Sequence, residues 1–79
     1  MRANRAYRLI VSRGGRLPAL LADSTRADHL EVVDIAEGEV VLFWDRPPQA
    51  ASRLARALRE DLYALDPQEF LARWSSVEP

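Results

Sequence analysis

At 79 residues, the chain is near the size at which a single hydrophobic core is only marginally stable, so a partner surface would help it. It has no cysteine, which excludes a disulfide framework and a thiolate zinc site, and its net charge of −1 disfavours a dedicated nucleic-acid binder. All 11 basic residues are arginine, a usage that reads as coding bias in a GC-rich genome rather than selection for phosphate recognition.

Residues 1 to 8 lack the apolar run of a signal peptide, and no stretch approaches the eighteen or so apolar residues of a membrane span. The expectation is one soluble, cytoplasmic domain over residues 1–79, with 1–6 a flexible arm and 75–79 a frayed tail. Tyr7 to Ser12 reads as the first strand, with Tyr7, Leu9 and Val11 on one side and Arg8, Ile10 and Ser12 on the other. Arg13-Gly14-Gly15-Arg16 ends it, as a hairpin turn or ahead of a short helix. Leucines at 17, 20 and 21 with an early proline favour the helix, over about 18–23.

His29 to Ala36 is the next strand, Glu37-Gly38 a two-residue turn and Glu39 to Asp45 the return strand. Such a turn pairs 35 with 40, 33 with 42 and 31 with 44. One face then carries Val33, Ile35, Val40, Leu42 and Trp44; the other carries Leu30, Val32, Val41 and Phe43, with Asp34 and Asp45. Val40 to Trp44 is an unbroken apolar run, which needs cover on both sides of the pleat.

Pro47-Pro48 opens a long helix, in which residues 51, 54, 55, 58, 62 and 65 form an apolar stripe. Asp66-Pro67-Gln68-Glu69 is the start signal of a second helix: a capping aspartate, proline at the first position, and glutamate three after the cap. Its apolar edge is Phe70, Leu71 and Trp74. The predicted order is β-α-β-β-α-α, an α+β chain with a small three-stranded antiparallel or mixed sheet and helices on one face. A right-handed crossover makes the first two strands parallel and puts Glu39 to Asp45 in the centre. This order resembles the ferredoxin-like plan with its closing strand replaced by a helix, a likeness of fold that implies no activity.

Charge is segregated along the chain. Residues 1 to 26 hold six arginines and one acid; residues 27 to 45 hold six acids and no base. The two segments are therefore expected side by side or facing each other across an interface.

No catalytic, metal or cofactor constellation is legible. His29, the only histidine, lacks a cysteine or a serine elbow to act on and reads as a solvated strand start. Asp34 and Asp45 come out about 13 Å apart, too far for a carboxylate pair. Gly14-Gly15 between Arg13 and Arg16 could cradle a phosphate, but reads as a plain turn. Arg2, Arg5, Arg8, Arg53, Arg56 and Arg59 could form a basic patch, but acids at 60 and 61 interrupt it and no aromatic lies between the arginines. Trp44 is expected under the long helix, and Trp74 either as the pin of the last one or as an interface anchor.

Because helices can cover only one sheet face, Ile10, Leu30, Val32, Val41 and Phe43 are expected to form an uncovered apolar surface. The leading expectation is a non-enzymatic interaction module that buries this surface in a homodimer or against a protein partner. The alternative is a regulatory domain that senses a small molecule near Gly14-Gly15 or at a subunit interface.

Overall fold

The computed structural model describes residues 1–13 and 27–79. Three strands, β1 (Tyr7–Ser12), β2 (Asp28–Asp34) and β3 (Val40–Arg46), form an open antiparallel sheet in the order β1-β2-β3. Two helices follow, α1 (Pro48–Ala64) and α2 (Pro67–Ser75). The fold is α+β with the described order β-β-β-α-α. No helix among the described residues is long and apolar enough to cross a membrane.

The topology corrects two expectations. β1 and β2 are antiparallel rather than parallel. β2, not β3, is therefore the central strand, hydrogen-bonded to a neighbour on each side. The helix expected over 18–23 lies outside the described residues. The acidic β2 does run beside the first segment, one of the two arrangements expected from the charge segregation, but no arginine of β1 stands opposite an acid: Arg8 faces Val33, while Glu31 and Asp34 face Ile10 and Tyr7.

The β2–β3 turn corrects a third expectation, with the largest consequence. Asp34 accepts hydrogen bonds at its carboxylate from the N–H groups of Ala36 (2.9 Å) and Glu37 (3.1 Å). Its backbone carbonyl accepts from Gly38 N–H at 2.7 Å, and its N–H donates to the Glu39 carbonyl at 2.8 Å. Gly38 sits at φ 71°, where a residue without Cβ is at ease. The loop thus runs over 35–39, longer than the two residues expected, and Asp34 is its anchor rather than a loose solubilising charge.

Immediately beyond the loop the register slips. Val33 faces Val40 while Val32 faces Leu42, leaving Val41 as the extra residue of a β-bulge. A one-residue shift turns every later side chain to the other face. Leu30 and Val32 therefore lie beneath the helices, both 0% exposed, instead of on the uncovered side. Val33 and Val40, expected inside, lie on the side away from the helices, and Val40 is exposed.

The core is built between the other face and the helices. Leu30, Val32 and Trp44 of the sheet meet Ala51, Ala55, Leu58 and Leu62 of α1, spaced three and four apart as predicted, and Phe70 and Trp74 of α2. The Trp44 and Trp74 rings meet edge to face with centroids 6.1 Å apart, and Tyr7 stacks on Phe70 at 5.9 Å. Asp61 of α1 accepts from Trp74 Nε1 and from Arg73 Nη1, each at 3.0 Å, which fixes α2 against α1.

The predicted cap of α2 is present: Asp66 accepts from Glu69 N–H at 2.8 Å. That backbone hydrogen bond, and then the side-chain bond with Glu69, hold the Asp66 carboxyl below its usual pKa. The same side-chain bond and the charge of Asp66 push Glu69 up.

Both ends are docked. Ala3–Arg5, expected as part of an arm, form a 3-10 turn in which Ala3 is buried and donates its N–H to the Leu65 carbonyl at 2.8 Å. Arg2 donates to the Ala64 carbonyl at 2.9 Å. In the expected tail, the Val77 carbonyl accepts from Trp44 Nε1 (3.3 Å) and the Glu78 carbonyl from Arg46 (2.5 Å).

Candidate functional site: the open face of the sheet

The face away from the helices is organised in three rows across the strands. The first is Arg8, Val33 and the Val40-Val41 pair; the second is Ile10, Glu31 and Phe43; the third is Ser12, His29 and Asp45. Alternation of side chains along each strand puts these residues together once the bulge is taken into account. Ile10 is 41% exposed, Val40 49%, Val41 36% and Phe43 41%. Of the five residues expected on this surface, Ile10, Val41 and Phe43 are brought together here, and Leu30 and Val32 are not. Val33 and Val40 were missed because only the register reveals them.

The third row holds the chemistry. His29 donates from Nδ1 to Asp45 Oδ1, and its ring stacks on Phe43 with centroids 5.8 Å apart and planes 21° from parallel. His29 does stand at a strand start with its side chain 45% exposed, but on the central strand rather than an edge, and with Asp45 and Phe43 as partners. Nothing in the sequence order signals this pairing, which exists only because the register sets residue 29 opposite residue 45.

Ser12 faces His29 from the other side, giving serine, histidine and aspartate in one line. The residue types match an acyl-transfer triad, but the geometry does not. Among the described residues Ser12 makes no hydrogen bond to His29, and four clefts there are lined by other side chains than these three. No group of three or more His, Asp or Glu among the described residues is arranged to hold a metal ion.

The remaining candidates separate. Gly14-Gly15 and Arg16 lie outside the described residues. A cleft of about 340 Å³ is lined by Val11, Arg13, Asp28, Ala51, Ser52 and Arg59. Of the arginines, Arg8 and Arg59 line one cleft and Arg2 and Arg5 another. Arg2 is engaged at the end of α1, Arg56 pairs with Glu60 at 3.6 Å on the exposed side of α1, and Arg8 belongs to the open face. Asp34 and Asp45 serve a turn and a histidine respectively.

No protein-family model, no curated protein and no solved structure matches the chain. The open face is therefore read on its own chemistry.

Proposed function

We propose that the protein is a small interaction module that self-associates through the open face of its sheet. The observation that carries this reading is the grouping of Ile10, Val33, Val40, Val41 and Phe43 on one side while both helices pack on the other. Exposed apolar side chains grouped on one face in this way usually mark a site of association. A domain of this size also gains stability by burying such a surface against a second copy.

Sedimentation velocity at micromolar concentration tests the reading. A dimer is expected, and Phe43→Arg, which places a charge in the apolar face, is expected to convert it to a folded monomer. A wild-type monomer at these concentrations, with Phe43→Arg sedimenting identically, rules the reading out.

A further inference from the structure

We infer that two copies pack face to face about a two-fold axis lying along the Ile10–Val33 diagonal, with Arg8 of each copy paired to Glu31 of the other. This deepens the proposal above and rests on it. Arg8 stands opposite Val33 and Ile10 stands opposite Glu31, so the four residues are the corners of one quadrilateral on the open face. One diagonal is apolar, Ile10 to Val33. The other joins the two opposite charges.

Glu31 demands a partner. It is partly buried between Ile10 and Phe43, its cross-strand neighbours on either side. Among the described residues neither Glu31 nor Arg8 has an ion pair. Covering the face strips water from that carboxylate, and an unpaired charge in an interface is expensive. A partner must therefore bring a cation to Glu31 and accept one from Arg8. A second copy does both at once, because a rotation about the apolar diagonal brings each charged corner to within about 3 Å of the other's position, inside the reach of an arginine side chain.

The sheet's own dimensions set the docking angle. Two residues of strand rise span about 6.8 Å and adjacent strands lie about 4.8 Å apart, so the diagonal runs about 35° from the strands and the two sheets cross at about 70°. That falls near the orthogonal class of sheet packing. Ile10 and Val33 lie on the axis and meet their own copies. The fork of Arg8 suits bidentate pairing with a carboxylate.

Charge reversal tests the geometry. The dimer dissociation constant of wild type, Arg8→Glu, Glu31→Arg and the double variant is measured by sedimentation equilibrium, with far-UV circular dichroism to verify folding. Each single reversal is expected to weaken the dimer by about tenfold or more, since it sets like charges against each other, and the double reversal to recover to within about threefold of wild type. Glu31→Gln, a smaller perturbation, is expected to weaken it less than Glu31→Arg. A dimer that Phe43→Arg breaks but that neither reversal alters, or that the double variant weakens further, overturns this geometry and leaves self-association through the face intact. A wild-type monomer overturns both and leaves the face to a different protein.

Discussion

The two faces of this sheet are made from the same three strands and nearly the same residue types, yet they do different work. Beneath the helices, Leu30, Val32 and Trp44 are fully covered and bounded by Phe70 and Trp74. On the open side, Ile10, Val41 and Phe43 are comparably apolar but interleaved with Arg8, Glu31, His29 and Asp45. The difference lies in how polar groups are spaced. The inner face excludes charge over its whole middle, whereas the open face has a titratable or charged group in each row. A surface built this way stays soluble when free and can still specify a partner when covered.

One bulge separates the two faces, and deletions there break the comparison most severely. Removing Phe43 would draw Trp44 into its place on the open side, stripping the core of its largest sheet residue. Loss of cooperative folding is expected, read as the absence of a thermal transition. Removing Val41 instead takes out the extra residue and leaves Val33 opposite Val40 and Val32 opposite Leu42. That variant should still fold cooperatively, at a cost on the order of 1–2 kcal/mol. Equal damage from both deletions would refute the bulge.

Substitution gives a milder contrast. Trp44→Ala should cost about 3–5 kcal/mol in urea unfolding, because the ring is almost wholly buried against Trp74. Phe43→Ala, one position away, should cost about 1 kcal/mol or less when measured on the monomer. Comparable losses at both sites would mean that the open face is part of the core.

The smallest expected effect lies away from the sheet, at the cap of α2. A carboxyl held below its usual pKa contributes stability above its unfolded value and loses it as pH falls through the folded one, as for Asp66. Glu69, pushed up, contributes below its unfolded value and loses that contribution as pH rises through the raised one. The cap is therefore strongest near pH 4, where Asp66 is ionised and Glu69 protonated. Asp66→Asn keeps an acceptor and removes the charge. Its Tm deficit relative to wild type should be greatest near that pH and shrink as pH falls through the lowered Asp66 value; a constant deficit would show that the charge is not linked to folding.

Helices were legible because their signals are local. Pro47-Pro48, the three- and four-residue spacing from Ala51 to Leu62, and the Asp66-to-Glu69 cap each lie within one or two turns of chain. Strand positions 7 to 12 and the apolar run 40 to 44 were legible for the same reason. Strand order and facing were not. The facing of Leu30 and Val32 depends on a turn held by the Asp34 side chain and on one unpaired residue, Val41, and the unbroken apolar run from 40 to 44 gives no sign of where the alternation is interrupted. Of the open face, Ile10, Val41 and Phe43 could be found from alternation. His29 with Asp45, and the Arg8–Glu31 diagonal, required the register.

The docking of Ala3 on Leu65, and of Arg2 on Ala64, bears on how the chain reaches this structure. These contacts join residues 62 apart in sequence, so they close a loop containing most of the polypeptide and form only when α1 has been made. Long-range closure of this kind carries a large entropic cost before any contact offsets it, and it slows folding relative to a chain of local contacts. On a ribosome, the amino-terminal turn would wait until Leu65 had emerged, so the first residues made are among the last to be fixed.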